Sequence, residues 1–172
     1  LAQKYNEVSN AAVDALAVVT GVAGARIQPG GGNEFFRLSM SPADATWVAG
    51  AHWRTDSNTA AGVDIFVTLD NTAGANQGFL IQNADATVSV TRGLTVVATS
   101  AAFIVDDVFS YIEFKHIIAD AGGTLECRNN AAVIATFTGD TQDTVNAFAH
   151  TTYMGATFGA TFTDYDNLYI CS

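Results

Sequence analysis

The chain has 172 residues, of which 49% are apolar and 14% are charged, and its 17 acidic and seven basic side chains give a formal net charge of −10. This length fits one domain with one hydrophobic core, so we predict a single domain over residues 1–172. The acidic balance argues against nucleic acid and against an anionic membrane surface as partners, because both are bound mainly through Lys and Arg.

The first predicted element, between Glu7 and Val19, is ambiguous. Its apolar residues fit a helical stripe that Ser9 could cap, but we assign no helix there. The sequence contains no apolar stretch long enough to span a bilayer and no basic segment followed by an apolar run. Neither a membrane span nor a signal peptide is therefore predicted.

From residue 35 onward, strand-like runs recur about every ten residues between Gly, Asn, Asp and Ser clusters, which is typical of an antiparallel sandwich or barrel. The predicted strands are Phe35–Met40, Trp47–Arg54, Val63–Leu69, Gly78–Gln82, Thr87–Arg92, Leu94–Thr99, Tyr111–Ile118, Thr124–Arg128, Val133–Thr138, Ala147–Met154 and Phe162–Ile170. Pro29 and Pro42 fall outside these runs, as ladder hydrogen bonding requires. The predicted fold class is all-β.

Alternation is clearest in a predicted hairpin with its turn at Asp120-Ala121-Gly122. The inward residues are Ile112, Phe114, His116, Ile118, Leu125 and Cys127. Pairing of Ile118 with Gly123 places the outward charges as two cross-strand pairs of opposite sign, Lys115 with Glu126 and Glu113 with Arg128. A slip of one residue would expose Phe114 and bury these charges, so the register is firmly set.

Two further segments have a readable pattern. In the run Val63–Leu69, four apolar residues, Val63, Ile65, Val67 and Leu69, share one face, and Asp64 and Thr68 lie on the other. We therefore predict a half-buried strand. The runs on either side of Arg92-Gly93 are predicted to form a hairpin closed by a tight glycine turn.

Cysteine and histidine spacing gives no zinc motif. Cys127 and Cys171 stand far apart, and buried free thiols are favoured over a disulfide. His52, His116 and His150 lie on separate predicted strands, and His116 alternates with core residues, which indicates a buried, hydrogen-bonded imidazole.

Carboxylate spacing argues against a glycoside hydrolase. A retaining enzyme needs two carboxyl groups about 5 Å apart, and no Glu-x-Asp-x-x-Glu pattern occurs. Structural pairing is therefore favoured for Glu113. The acidic pairs Asp106-Asp107, Asp140 with Asp143, and Asp164 with Asp166 and Asn167 are candidate calcium ligands. Turn polarity also explains these pairs, so no cofactor is predicted and calcium is kept as the alternative.

Other catalytic or binding motifs are weak. There is no Gly-x-Ser-x-Gly elbow, and the glycine-rich run 29–33 lacks the lysine of a phosphate-binding loop. Candidate aromatic residues for a sugar-binding platform are Trp47, Trp53, Tyr111, Tyr153, Tyr165 and Tyr169. Trp47 and Trp53 share a strand face with Ala49 and Ala51, so a core position is favoured for both.

Several segments together resemble concanavalin A-like, LamG-like jelly-roll domains of tailed-bacteriophage virion proteins. They are Lys4-Tyr5, Gly24-Ala25-Arg26 leading into 29–32, Trp47–Arg54, Tyr111–Lys115, Ala121–Arg128, Gly139-Asp140-Thr141-Gln142 and Asp164–Ile170. The chain differs at Asn129-Asn130, where the family has Asn-Gly, and at Asp166-Asn167, where it often has Asp-Asp. Both differences are mild because Asn tolerates a left-handed backbone.

The resemblance implies two antiparallel sheets packed face to face, with motif residues that serve the fold rather than an activity. These residues are Arg26, Glu113, Lys115, Glu126, Arg128, Asp140, Thr141 and Asp166. The implied function is a non-enzymatic virion structural protein, a capsid decoration or tail-associated subunit assembled in the host cytoplasm. Its expected partners are further copies of the chain and the major capsid or tail proteins. The alternative is a lectin-like module that binds a host-surface glycan.

Overall fold

The computed structural model describes residues 7–9, 11–14, 24–27, 34–70, 75–156 and 161–171. These residues form strands and no helix, which confirms the all-β class. The strands are β1 Glu7–Ser9, β2 Ala11–Asp14, β3 Gly24–Ile27, β4 Glu34–Asp44, β5 Thr46–Thr55, β6 Val63–Leu69, β7 Asn76–Gln82, β8 Val88–Arg92, β9 Thr95–Thr99, β10 Ser110–Ile117, β11 Gly123–Asn129, β12 Ala132–Gly139, β13 Ala149–Ala156 and β14 Thr163–Cys171. No helix in the described ranges is long and apolar enough to cross a membrane.

The strands form two antiparallel sheets that pack as a jelly-roll sandwich. Sheet A has the order β1-β4-β13-β6-β7-β8-β9, and sheet B has the order β12-β11-β10-β5-β14-β3-β2. Fully buried side chains from both sheets fill the space between them, including Phe36, Phe66, Leu80, Trp53, Ile112 and Phe114. The Tyr165 hydroxyl of sheet B donates to the Ile65 carbonyl of sheet A at 3.0 Å, which joins the layers directly.

All eleven predicted strands are present, with small changes at their ends. The strands β1, β2 and β3 were not predicted, because they are short and the ambiguous stretch that contains β1 and β2 has no clean alternation. Residues 15–19 of that stretch, the run 29–33 and the motif at residues 4–5 lie outside the described residues. Pro42, which was predicted to lie outside the strands, lies within β4. The register of β4 against β13 shifts there, between the pairs Asp44↔Ala149 and Ser39↔Thr151, and such irregularities tolerate proline.

The register of the β10–β11 hairpin is confirmed. Glu113 lies opposite Arg128, and Lys115 lies opposite Glu126. The ion pairing differs from the prediction, however, because the Arg128 Nε contacts Glu126 Oε1 along the same strand at 2.7 Å. Both cross-strand alignments therefore exist, but the close contact is between neighbours on one strand.

Strand β6 departs from the predicted alternation. Its register against β7 shifts between Asp64 and Phe66. Val63 and Ile65 therefore pack in the main core, whereas Val67 and Leu69 pack with Phe79 in a separate cluster. All seven residues of the strand are buried, so the predicted half-buried strand is wrong.

The structure confirms several predictions for single residues and contradicts one. The β8–β9 hairpin is confirmed, with Arg92 opposite Thr95 and Gly93 at φ 49°. Trp47 and Trp53 are core residues, as predicted. Both cysteines are free thiols, but only Cys127 is buried, so the prediction of two buried thiols is wrong for Cys171.

His116 is a buried, hydrogen-bonded imidazole, as predicted. Its Nε2 lies 3.1 Å from the Thr141 carbonyl oxygen, which can only accept, so Nε2 carries the proton and Nδ1 accepts from the Thr68 hydroxyl at 2.8 Å. Burial lowers the pKa of His116 to about 4, although the hydrogen bond to Thr141 opposes this shift. Gly78 leaves room for the ring, because a Cβ there would lie 2.9 Å from its Cε1.

Candidate functional site

The outer face of sheet B, the side turned away from sheet A, collects most of the predicted motif residues. Strand register aligns its outward residues into three neighbouring rows. The rows are Cys171, Val48, Lys115 and Glu126; then Tyr169, Gly50, Glu113 and Arg128; then Asp166, His52 and Tyr111. The hairpin charges are thus brought beside two tyrosines and a histidine from distant parts of the chain.

A β-bulge in β14 turns Tyr169 onto this face. Asp166 pairs with His52 and Tyr169 pairs with Gly50, so β14 has one residue more than β5 between these pairs. Asn167 adopts φ 52°, a left-handed conformation that asparagine tolerates. Leu168 and Ile170 consequently pack against the core, and Tyr169 between them points outward.

Gly50 makes room for the Tyr169 ring. A Cβ at residue 50 would lie 2.4 Å from Tyr169 Cε1, so any side chain there would displace the ring. The ring thus crosses β5, and its hydroxyl donates a hydrogen bond to Glu113 Oε1 on β10. Burial is the largest cause that raises the pKa of Tyr169, followed by its hydrogen bonds to Glu113 and Tyr111. The phenol therefore stays protonated and donates at neutral pH.

A depression of about 160 Å³ lies beside the tyrosine and is lined by Val48, Glu113, Lys115, Glu126 and Arg128. Both carboxylates in it are engaged, Glu113 by Tyr169 and Glu126 by Arg128. In the described part of the chain, the Lys115 ammonium makes no hydrogen bond or ion pair. The depression contains two cations and two carboxylates, so it is locally neutral in a chain of net charge −10.

His52 and Tyr111 form the third row. The Asn167 amide Nδ2 lies 3.2 Å from His52 Nδ1. Because an amide nitrogen only donates, Nδ1 accepts, and the proton of the neutral ring sits on Nε2. The His52 and Tyr111 rings lie 5.1 Å apart and tilted by 54°. The row therefore presents a ring surface and polar atoms together.

Arg26, Asp164 and Arg54 form a buried ion cluster on the same sheet. Asp164 accepts from Arg26 Nε at 2.7 Å, from Arg26 Nη2 at 2.8 Å and from Arg54 Nε at 2.7 Å. Its side chain is fully buried. The guanidinium groups of Arg26 and Arg54 therefore both pair with the carboxylate of Asp164, which is one of the candidate calcium ligands.

The remaining predicted motif residues, Asp140 and Thr141, lie apart from this face, in the segment after β12. The Thr141 hydroxyl donates to the Ile117 carbonyl at 2.6 Å and accepts from the Ala119 amide at 3.1 Å. Asp140 contacts Arg92 and accepts from the Gln142 amide at 3.1 Å. These contacts tie the segment to sheets A and B.

Two other acidic candidates, Asp106 and Asp143, also contact protein groups. The Asp106 carboxylate accepts from the Asn58 amide, and Asp143 lies near Arg92. Across the described ranges, no group of three or more His, Cys, Asp or Glu residues could hold a metal ion. The side chains of Tyr153 and His150 lie outside the described part of the structure.

Sequence reasoning missed Gly50 and Val48 as members of the site. It considered Asn167 only as a calcium ligand and a motif residue, and it treated Tyr169 without a partner. One signal was available, because a glycine inside a strand often marks the close approach of another group. The identity of that group depends on the bulge at Asn167, which no local pattern reveals.

Comparisons with known proteins show the fold and no closer relationship. No family model and no curated protein matches the sequence. Among solved structures, the chain is similar to the cellulose-induced protein Cip1, with a TM-score of 0.71, 15% identity and coverage of 99% of this chain and 89% of that one.

Two other structures have the same architecture. An endo-β-1,4-glucuronan lyase from the fungus Trichoderma reesei gives a TM-score of 0.64 at 9% identity, over 96% of this chain and 90% of that one. The carbohydrate recognition domain of Emp46p gives 0.57 at 12% identity, over 93% and 86%. The chain therefore has a concanavalin-like jelly-roll fold shared by carbohydrate-binding proteins and lyases.

These similarities correct one expectation from the sequence and confirm another in part. The prediction that the chain is not an enzyme is wrong. It rested on the jelly-roll fold and on the absence of hydrolase motifs, but an endo-β-1,4-glucuronan lyase has the same fold without being a hydrolase. The resemblance to a jelly-roll domain is confirmed in its fold, but nothing in the comparisons indicates a phage virion origin.

Proposed function

We propose that the chain is a carbohydrate-binding protein that holds a polysaccharide across the outer face of sheet B. The observation that carries this proposal is the row arrangement of Tyr169, Tyr111 and His52 beside a polar depression. Aromatic rings offer an apolar surface for the CH groups of a sugar, and the surrounding polar atoms can bond its hydroxyls. The carbohydrate-binding proteins of the same fold support this choice.

The depression is large enough for only one unit of a longer ligand. Pockets for drug-sized ligands hold about 300 to 1,000 Å³, so this one has room for a single sugar unit or charged substituent. A longer chain would continue over the neighbouring rows, where His52 and Tyr111 lie. We therefore expect binding of a polymer rather than of a free monosaccharide.

The test is a panel of soluble polysaccharides in affinity gel electrophoresis with single variants. Tyr111→Ala and Tyr169→Ala should each weaken binding by about tenfold or more, because tyrosine is enriched among the residues that dominate binding energy. Leu94→Ala is the matched control, because Leu94 is an 85% exposed apolar residue next to sheet A. Binding that survives both tyrosine variants, or no binding by the wild type, would refute the proposal.

Cleavage of the bound polysaccharide by elimination is a second candidate. The observation that favours it is the protonated Tyr169 phenol in contact with the Glu113 carboxylate, which places a proton donor beside an acceptor. In the elimination, the Glu113 carboxylate accepts the proton next to a sugar carboxyl group, the glycosidic C–O bond breaks, Tyr169 donates its proton to the leaving oxygen, and a C=C bond forms in the sugar. Ultraviolet absorbance of the unsaturated product, lost in Glu113→Gln, would support it, and no product from any polymer that binds would exclude it.

A virion location, with capsid or tail proteins and further copies of the chain as partners, stays a prediction. In that setting the face would contact a glycan on the host surface. Detection of this chain in purified particles by mass spectrometry would test it.

A further inference from the structure

We propose that the outer face of sheet B selects polysaccharides that carry anionic groups, and that Lys115 contacts the anion. This inference rests on the proposed function, because it names the chemical class of ligand for the same face. The anion is a carboxylate or sulfate, since an ammonium group is a point charge that attracts either.

The charges of the depression lead to this choice. Glu113 and Glu126, its two carboxylates, already accept hydrogen bonds from Tyr169 and Arg128. Lys115 lies opposite Glu126 in the register, but Glu126 contacts Arg128 at 2.7 Å instead. In the described ranges, the ammonium of the half-buried residue Lys115 consequently has no counter-ion, although Lys115 lines the depression.

A ligand anion would complete this arrangement. An anion placed beside Lys115 gains a charge-assisted hydrogen bond, which is about twice as strong as a neutral one. A neutral sugar at the same position leaves the ammonium without a counter-ion. The depression therefore discriminates by charge more than by shape.

The net charge of −10 does not prevent this binding. Exposed charges separated by more than about 8 Å are largely screened at physiological ionic strength. The depression, whose two cations and two carboxylates are neutral as a set, therefore adds no local net repulsion toward an anion beside Lys115. The acidic remainder of the chain lowers the affinity for polyanions in general, so binding should depend on this one site.

The experiment compares matched polymer pairs. Polyglucuronate is tested against its carboxyl-reduced form, and dextran sulfate against dextran, by isothermal titration calorimetry. We expect at least one charged polymer to bind about tenfold or more tightly than its neutral counterpart, as loss of a charge-assisted hydrogen bond implies. The pair that shows this difference identifies the anion.

Variants assign the effect to Lys115. Lys115→Gln should lower the affinity for the charged polymer about tenfold and leave the neutral polymer unchanged, whereas Lys115→Arg should retain most of the affinity. Thr95→Glu is the control, because it changes the net charge by the same one unit on exposed β9 of sheet A. Circular dichroism confirms that the variants fold.

The possible results separate this inference from the proposed function. Equal affinity for charged and neutral polymers, lost in Tyr169→Ala, overturns the inference and leaves the proposed function standing. A charge preference that Lys115→Gln does not change also overturns it. Binding of none of the four polymers overturns the inference, and the wider panel of polysaccharides then decides the proposed function. Binding that no outer-face variant affects overturns both.

Discussion

Replacing Gly50 with alanine should separate the binding face from the stability of the fold. The new Cβ would lie 2.4, 2.6 and 2.7 Å from Tyr169 Cε1, Cζ and the hydroxyl oxygen, whereas ordinary contact begins near 3.4 Å. The ring must therefore move by at least 1.0 Å, the difference between 3.4 and 2.4 Å. It would move away from the sheet and lose its hydrogen bond to Glu113.

The expected change in stability is small because two effects oppose each other. Alanine in a strand is favoured over glycine by roughly 0.5–1 kcal/mol. Loss of the tyrosine hydrogen bond costs about 0.5–1.5 kcal/mol. The free energy of unfolding should therefore change by about 1 kcal/mol or less, while polysaccharide binding weakens as in Tyr169→Ala.

Urea unfolding and affinity electrophoresis of four proteins check this reasoning. They are the wild type, Gly50→Ala, Tyr169→Ala and the double variant. Once the ring is absent, alanine at residue 50 should have no further effect on binding, so the two changes should be strongly non-additive. Wild-type affinity in Gly50→Ala, or an additive loss in the double variant, would refute the assigned role of the Tyr169 position.

Two further predictions concern stability. Because the pKa of His116 is lowered to about 4 from 6.5, the unfolded chain takes up a proton first as pH falls, so stability is highest above pH 6.5 and decreases toward pH 4. Between pH 7.5 and 5, the free energy of unfolding should fall by about 2 kcal/mol because of His116. Urea titrations should show that His116→Gln lacks this pH-dependent loss of stability. An unchanged pH dependence in the variant would contradict the assigned role of His116. Asp164→Ala leaves the guanidinium groups of Arg26 and Arg54 without their shared carboxylate and should cost about 3–5 kcal/mol in thermal unfolding. Glu126→Gln, in a partly exposed pair, should cost about 1 kcal/mol or less, and equal losses would argue against a special role for the buried cluster.

The alternating pattern of the sequence determined the strands and one complete register. In β10 and β11, the buried positions Ile112, Phe114, Leu125 and Cys127 are apolar and His116 joins them, whereas the charged residues Glu113, Lys115, Glu126 and Arg128 lie on the other face. A shift by one residue would reverse both sets, so the pairing of Glu113 with Arg128 could be predicted. The resemblance of several motifs to a jelly-roll domain added the arrangement of two sheets, which the comparisons confirm.

Only the tertiary structure decided which residues form the candidate site. Tyr169 would face the core if β14 alternated without interruption, but the extra residue at Asn167 reverses the alternation. The same effect in β6 sends Val67 away from the main core. A bulge costs little locally and is selected by packing on both sides of a sheet, so periodicity along one strand does not reveal it. Gly50 likewise acquires its role from a ring more than one hundred residues away in the chain, which becomes its neighbour when β5 and β14 pair.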